Sequence, residues 1–258
     1  MALNKNKITI HRTRIGKDIV AEFAIPISKK HQQEKRVAIL AGGAPSMPSK
    51  NSFVEFLVTR GFYVINPRYR GTWESSGKFL EKEPTVDIEE VISATAKPFL
   101  SLWEKKKYPF PKKPSIYIFA SSFGGPAGFL LSKDKRVKKV VAISAVTDWR
   151  DDCGVEPLDM FDSMTKRMYG EGYRLALNAG KKLKKGNFYN PMMSLNKVDG
   201  SKILMLHAED DDVVHAHIAE DFADLTGAKL LISDSGGHMG LSELMTPHTW
   251  KQIQKFLK

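Results

Sequence analysis

Short, solidly apolar runs recur along the chain and alternate with stretches whose apolar residues follow helical spacing. The runs lie at residues 37–40, 62–65, 116–120, 140–143, 203–206 and 230–232. A strand buried on one face alternates apolar and polar residues, whereas these runs are apolar throughout. Such runs are typical of parallel strands that are covered on both faces. The pattern therefore predicts an α/β fold with a mostly parallel central sheet and helices on both faces.

The remaining segments complete this alternation. Residues 8–13 and 19–27 are strand-like runs on either side of a Gly16-Lys17-Asp18 turn, which predicts an opening hairpin. Apolar spacing predicts helices at 52–60, 87–106, 215–225 and 241–257. Residues 151–198 have helical patches without a clear strand. We expect a single domain over residues 1–258, with a small helical lid inserted at 151–198.

The stretch at 115–131 combines a strand, a sharp turn of small residues and the start of a buried helix. This context is typical of a nucleophile elbow, with Ser122 at its apex. Only small residues fit two positions before and after the nucleophile, and these are Ala120 and Gly124. Glycine is usual at both positions. Ala120 departs from this pattern by one additional methyl group. The alternative interpretation is an ordinary strand-to-helix turn, because short motifs also match by chance.

A serine nucleophile needs a histidine to take its proton and a carboxylate to orient that histidine. In the α/β-hydrolase fold these residues follow in the order Ser, acid, His. An acidic loop follows the strand at 203–207 and offers Asp210, Asp211 and Asp212. His238 lies at the centre of a glycine-containing loop after the last strand. Each feature alone is ordinary, but their order and their positions after buried strands favour a catalytic triad.

A metal site is a competing interpretation of the acidic and histidine residues near this loop, which are Glu209, Asp210, Asp212, His215 and His217. However, His215, His217 and Glu220 do not share one face of a helix. The single cysteine, Cys153, excludes an internal disulfide and provides no zinc-finger spacing. No elbow or helix start surrounds Cys153, so we expect it to be a bystander. We predict neither a metal nor a cofactor.

The net charge of +11 raises the question of an anionic partner. Lysine clusters occur at 105–107, 112–113, 138–139, 181–182 and 184–185. They are scattered and lack interleaved aromatic residues, so we do not expect a nucleic-acid partner. No apolar run is long enough for a membrane span, and the first residues lack a signal-peptide pattern. With one cysteine, these features predict a cytoplasmic protein without a membrane partner.

With these motifs in place, the chain from about residue 37 resembles the catalytic domain of the prolyl oligopeptidase family. Within that family, the resemblance is strongest to the acylaminoacyl peptidase and dipeptidyl peptidase branch. The segments that carry the resemblance are Ala41-Gly42-Gly43, the strand and Arg-Gly loop at 62–71, Ser122-Phe123-Gly124-Gly125, 146–149, Asn190-Pro191 and 207–214. Ala41 replaces the family's usual histidine, and Phe123 its usual tyrosine. About 36 residues precede the first core strand, so we expect the hydrolase domain without the family's propeller.

The resemblance implies roles for particular residues. The match of 207–214 to the family's His-Gly-x-x-Asp-x-x-Val motif selects Asp211 as the acid. It also implies an oxyanion hole formed by the backbone N–H groups of Phe123 and Gly43. Several aromatic and methionine residues in or just before the lid are candidates for an apolar acyl pocket: Trp149, Met160, Phe161, Met164, Met168, Tyr169 and Tyr173. The alternative, favoured for any single one of them, is that it packs the lid onto the core.

These observations favour a serine hydrolase that cleaves carboxylic esters through an acyl-enzyme intermediate, with small amides or peptides as secondary candidate substrates. The expected partner is a small-molecule ester or peptide substrate. The alternatives are an acylaminoacyl- or dipeptidyl-type peptidase, a catalytically silent hydrolase fold used for binding, and a polyanion-binding protein that uses its lysines. The sequence leaves the acyl preference and the oligomeric state open.

Overall fold

An eight-stranded mixed sheet forms the centre of the protein in a computed structural model, which describes residues 8–151 and 155–258. The strands of this described part are β1 (His11–Ile15), β2 (Ile19–Ala24), β3 (Arg36–Ala41), β4 (Tyr63–Pro67), β5 (Phe99–Leu100), β6 (Lys107–Tyr108), β7 (Ser115–Ser121), β8 (Val137–Ile143), β9 (Ile203–Ala208) and β10 (Lys229–Ser233). The large sheet has the order β1-β2-β4-β3-β7-β8-β9-β10, and β5 pairs with β6 in a separate hairpin. β2 is antiparallel to both neighbours, and all other pairs of the large sheet are parallel.

Helices cover both faces of the sheet. Those of the described residues are α1 (Lys29–Gln33), α2 (Asn51–Thr59), α3 (Pro84–Ala94), α4 (Gly125–Leu130), α5 (Phe161–Tyr169), α6 (Ala179–Lys184), α7 (Ala216–Thr226) and α8 (Pro247–Leu257). The buried residues of α3, α4 and α7 belong to one core cluster, and those of α2 and α8 to the other. This three-layer arrangement confirms the α/β fold class expected from the apolar runs.

The central strands are apolar throughout because each of their faces packs into one of the two clusters. In β3, Val37 and Ile39 belong to the first cluster, whereas Ala38 and Leu40 belong to the second. Successive side chains of a strand point to opposite faces, so both sets must be apolar to fill both layers.

Two helix predictions were wrong in extent, and one short helix was not predicted. The helix expected at 87–106 ends at Ala94, since Pro98 lacks an amide hydrogen and disfavours helical backbone in the residue before it. The chain then forms the β5–β6 hairpin. The closing helix begins at Pro247, not at 241, with Thr246 capping it by accepting a hydrogen bond from the Thr249 N–H. The short α1 lies in a segment with no predicted element, and it buries no side chain.

The segment after β8 packs against the loop between β4 and α3. Residues 172–176 exchange backbone hydrogen bonds of 2.7–2.8 Å with residues 71–79 of that loop. Cys153, for which the sequence predicts no role, lies outside the described residues. No helix within 8–151 or 155–258 combines the length and the apolar character that crossing a bilayer requires.

Candidate active site

The predicted site residues gather at one edge of the sheet because the strands that precede them run in parallel. β3 ends before Gly43, β7 before Ser122, β9 before Asp211, and β10 before His238. The carboxyl ends of parallel strands lie at the same edge, where open α/β sheets bind their ligands. The fold thus brings four distant parts of the sequence together.

Ser122 occupies a strained backbone turn between β7 and α4. Its φ of +49° is in the left-handed region, which is uncommon for a residue other than glycine. The Val146 N–H donates a hydrogen bond of 3.2 Å to the Ser122 carbonyl and holds the turn. A Cβ atom at Gly124 would lie 1.9 Å from the Ala41 carbonyl oxygen, so the position two after Ser122 requires glycine. This geometry is that of the predicted elbow.

The extra methyl group of Ala120 fits because α4 carries a glycine opposite it. A Cβ atom at Gly128 would lie 3.7 Å from the Ala120 Cβ and 2.8 Å from a methyl carbon of Val140. Gly128 therefore lets the helix approach β7 closely while Ala120 remains fully buried between them. The departure from the usual glycine leaves the turn intact.

Asp211 and His238 form a contact that fixes the histidine's tautomer. His238 Nδ1 lies 3.1 Å from each carboxylate oxygen of Asp211. An ionised carboxylate only accepts hydrogen bonds, so Nδ1 carries the proton. His238 Nε2 is then left without a hydrogen and can accept a proton from a hydroxyl group.

The Asp211 carboxylate is buried and surrounded by donors. The N–H groups of Val213 and Val214 donate to Oδ1 at 3.1 and 2.9 Å. His207 Nε2 lies 2.7 Å from the Val214 carbonyl oxygen and 3.3 Å from Asp211 Oδ2, so its N–H is shared between them. Burial alone would raise the pKa of Asp211, but the hydrogen bonds from His207, His238 and Val214 outweigh it and hold this pKa far below its usual value. The group is therefore an anion near neutral pH.

The two neighbouring aspartates have different environments. Asp210 accepts a hydrogen bond of 2.7 Å from the Gly237 N–H, and so fastens the loop that carries His238. Asp212 is exposed at the end of the acidic loop. Among the described residues, the carboxylate in contact with His238 belongs to Asp211.

Ser122 and His238 line the same cavity without a direct bond. No hydrogen bond links Ser122 Oγ with His238 Nε2 in the part of the chain that the structure describes. Catalytic hydrogen bonds are often long in the absence of substrate and tighten when it binds. Both side chains face the cavity in which a substrate would bind.

One of the two predicted oxyanion donors has a partner within the protein. The Gly43 N–H donates to Ser121 Oγ at 3.0 Å, a contact that the sequence did not suggest. The Phe123 N–H opens a short turn of helix at Ser122–Gly124, where the first N–H groups have no partner inside the helix. A substrate oxyanion would have to share the Gly43 N–H with Ser121 or displace its hydroxyl.

The cavity beside Ser122 and His238 has a volume of about 620 Å³, a size suited to a small organic molecule. Of the seven candidate pocket residues, Phe161, Met164, Met168 and Tyr169 line this cavity. Trp149 lines a smaller adjoining cavity, Met160 is largely exposed, and Tyr173 is buried beneath the loop at 71–79. Other apolar residues of the lining were not predicted, and they include Phe53, Met239, Leu241 and Met245.

Tyr173 connects the segment after β8 to the loop that follows β3. Its hydroxyl accepts a hydrogen bond of 2.8 Å from the Ser46 N–H and donates one of 3.2 Å to the Ser46 carbonyl. Burial raises the pKa of Tyr173 to about 12, so the hydroxyl keeps its proton. Tyr169 adds a longer bond of 3.4 Å to the Pro45 carbonyl.

We expect Tyr173→Phe to lower the free energy of unfolding by about 1–3 kcal/mol, because it leaves the Ser46 N–H without its acceptor. The measurement is urea unfolding followed by circular dichroism. Tyr108→Phe is the matched control, since that hydroxyl bonds the exposed Glu104. Equal stability of the two variants would contradict the role of Tyr173.

A second group of titratable side chains lies at the far end of the adjoining cavity. Asp151, which lines that cavity, contacts His215 and His217 at the start of α7. In the described residues this is the group whose donor atoms lie close enough to share a metal ion. Both histidines were candidate metal ligands in the sequence, but Asp151 was not, because it lies 64 residues before His215.

No protein-family model matches the chain, and no curated protein is significantly similar in sequence. Solved structures do match. An esterase of Pyrococcus furiosus is 18% identical with a TM-score of 0.65, and the match covers 97% of this chain and 90% of the esterase. Dipeptidyl peptidase 4 of Porphyromonas gingivalis is 19% identical with a TM-score of 0.63, covering 97% of this chain and 35% of the peptidase.

The acylaminoacyl peptidase of Pyrococcus horikoshii is 16% identical with a TM-score of 0.61, and the match covers 97% of this chain and 40% of that protein. The chain thus spans nearly all of the esterase and well under half of each peptidase. At these identities the similarity establishes the fold, and this chain has the α/β-hydrolase fold.

Proposed function

We propose that the protein is a serine hydrolase that cleaves carboxylic esters through an acyl-enzyme intermediate. The observation that carries the proposal is the Asp211–His238 contact at the same sheet edge as the strained Ser122, with His238 and Ser122 lining one cavity. An orienting carboxylate, a histidine with a free Nε2 and a serine on an elbow are the parts that acyl transfer needs. The similarity in fold to an esterase supports this assignment.

In the proposed reaction, Ser122 Oγ attacks the ester carbonyl carbon while His238 Nε2 takes the hydroxyl proton. Asp211 stabilises the resulting imidazolium. The N–H groups of Phe123 and Gly43 stabilise the negative oxygen of the tetrahedral intermediate, with Gly43 sharing or giving up its bond to Ser121 Oγ. Losing one donor of such a pair typically costs about 3 kcal/mol. The intermediate collapses, and the alcohol leaves with the proton from His238.

Water then completes the cycle. His238 takes a proton from the water as its oxygen attacks the acyl carbon, and returns this proton to Ser122 Oγ when the acid leaves. The methionines of the cavity, Met164, Met168, Met239 and Met245, suit acyl groups of varied shape because their side chains are flexible and apolar.

The whole chain is proposed to act as one hydrolase domain in which residues 151–198 form a lid over this cavity. α5 supplies one wall, and Tyr173 and Tyr169 tie the segment to the loop after β3. The expected partner is a small ester or peptide, and the single cysteine supports a cytoplasmic location.

The test combines hydrolysis of short p-nitrophenyl esters with covalent labelling by a fluorophosphonate. We expect the wild type to hydrolyse and to be labelled at Ser122, as located by mass spectrometry. Ser122→Ala should lose labelling and at least ~10⁴-fold in kcat. Ser121→Ala is the control for the neighbouring hydroxyl, and it should still be labelled at Ser122.

Full activity of Ser122→Ala would refute the assignment. A wild type that neither hydrolyses esters nor reacts with the probe would favour the alternative of a silent fold used for binding. A peptidase is the second candidate, supported by the similarity in fold to acylaminoacyl and dipeptidyl peptidases. Faster turnover of acylaminoacyl anilides than of matched esters would favour it.

A further inference from the structure

Asp151, His215 and His217 form a compact group outside the proposed catalytic residues. His215 Nδ1 lies 2.7 Å from Asp151 Oδ2, and His217 Nε2 lies 3.7 Å from Asp151 Oδ1. One donor atom from each residue lies within 4.8 Å of the others. We propose that these three side chains bind a divalent first-row transition metal such as Zn²⁺.

The distances fit such an ion after small side-chain movements. Tetrahedral Zn²⁺ binds nitrogen and oxygen at about 2.0–2.2 Å, which places neighbouring ligand atoms about 3.3 Å apart. Asp151 and His215 are slightly closer than this and Asp151 and His217 slightly farther apart. The two imidazole rings already stack, with centroids 5.6 Å apart and planes 21° from parallel. Rotations within the side chains would bring all three atoms into one coordination sphere.

Binding of the metal ion to His215 requires no net loss of a proton from the site. Asp151 accepts a hydrogen bond from His215 Nδ1, so the neutral ring carries its proton there. A metal at Nδ1 takes the place of this proton, which moves to Nε2 of the same neutral ring. Water fills the remaining coordination position, as in sites with three protein ligands.

The donor set selects the class of ion. Two imidazoles and one carboxylate suit Zn²⁺, Ni²⁺, Co²⁺ and Cu²⁺, whereas Ca²⁺ and Mg²⁺ prefer oxygen ligands alone. His217 and His215 are accessible to solvent, with side chains 60% and 38% exposed. An ion can therefore enter without unfolding of the chain.

The charges around the three side chains also affect how favourably a cation would bind. The start of α7 carries partial positive charge, which by itself disfavours a bound cation. Asp151 offsets this charge directly, whereas the nearby Asp148 carboxylate is already paired with Arg150 at 2.6 Å. The bound ion would fasten the first residue of the proposed lid to α7, next to the cavity that reaches Ser122.

The alternative is a simple ion pair in which Asp151 holds His215 at the start of α7. An ion pair needs only one histidine, and the contact of His217 with the other carboxylate oxygen is then incidental. The two interpretations differ in the expected effect of removing the His217 side chain on Zn²⁺ affinity. The exposed His217 is a ligand in the metal site, whereas the Asp151–His215 ion pair does not need it.

The experiment measures Zn²⁺ binding to the full chain by isothermal titration calorimetry after removal of metals with EDTA. We expect one equivalent to bind and to raise the thermal unfolding temperature, since an ion that binds only the native state stabilises it. His217→Ala should weaken binding at least ~100-fold, because losing even a residue that supports a ligand commonly costs 10–100-fold. His217→Gln should behave in the same way.

His248→Ala is the matched control, because His248 is an exposed histidine on α8. It should bind Zn²⁺ as the wild type does, and Ca²⁺ should not bind at the site. Absence of saturable binding, or equal affinity of wild type and His217→Ala, would overturn the proposal. Loss of binding in His238→Ala with retention in His217→Ala would also overturn it, since the ion would then lie at the proposed catalytic histidine. The readout does not depend on ester hydrolysis.

Discussion

The Asp211→Asn variant is expected to lose about 10⁴-fold in kcat for ester hydrolysis, because an amide in this position favours the wrong tautomer of His238. The carboxylate accepts from His238 Nδ1 at 3.1 Å, whereas an amide can present an N–H to that atom. Nε2 would then carry the proton and could not take one from Ser122. Steady-state kinetics with a short p-nitrophenyl ester measures the loss.

The neighbouring aspartates provide a graded series for this prediction. Asp212→Asn should be nearly neutral, since Asp212 is exposed. Asp210→Asn should have an intermediate effect, because its carboxylate holds the Gly237 N–H of the histidine loop. If Asp210→Asn or Asp212→Asn lost as much activity as Asp211→Asn, the choice of Asp211 as the acid would be wrong.

The same variant is expected to change how stability depends on pH. The folded state lowers the pKa of Asp211, so its charge stabilises the protein above the unfolded value of about 3.9. This stabilisation is lost as the pH falls below that value towards the folded pKa. The difference in unfolding free energy between wild type and Asp211→Asn should therefore be largest at pH 5–7 and shrink towards pH 3. A difference that is constant over this range would contradict the role of the charge.

Gly124→Ala is expected to lower the free energy of unfolding by about 3 kcal/mol or more and to abolish ester hydrolysis. The added Cβ would lie 1.9 Å from the Ala41 carbonyl oxygen and 2.8 Å from that of Gly42. Both atoms are backbone, so the strain cannot be relieved by rotating a side chain, and β3 must separate from the elbow. Urea unfolding measures the loss of stability.

Two other glycine-to-alanine substitutions provide a comparison for the loss of stability in Gly124→Ala. A Cβ at Gly128 meets a methyl carbon of Val140 at 2.8 Å, so Gly128→Ala should destabilise less than Gly124→Ala. A Cβ at Gly240 has its nearest neighbour at 3.9 Å, and Gly240→Ala should change stability by less than about 0.5 kcal/mol. If Gly124→Ala were as stable as Gly240→Ala, the elbow would not need its close contact with Ala41.

Much of the fold could be predicted from local patterns. The apolar runs predict the central strands because a strand between two helical layers has no polar face, as β3 and β7 illustrate. The helix predictions failed where proline decided the boundaries, at Pro98 and Pro247. A pattern of apolar spacing continues across a proline, whereas the backbone hydrogen bonds of a helix do not.

The sequence by itself determined the strands of the large sheet, most of the helices between them and the candidates Ser122 and His238, since these depend on residues close in the chain. It missed α1 and the β5–β6 hairpin. The acidic loop by itself offered three aspartates, of which the family resemblance selected Asp211. The path of the loop after β9 turns Asp211 inward to His238 while Asp212 stays exposed. The wall of the cavity and the meeting of Asp151 with His215 were decided by tertiary structure alone. Both features bring together segments that are distant in the chain, and these segments meet only through packing at the edge of the sheet. A local sequence pattern depends on neighbouring residues and therefore cannot predict that packing.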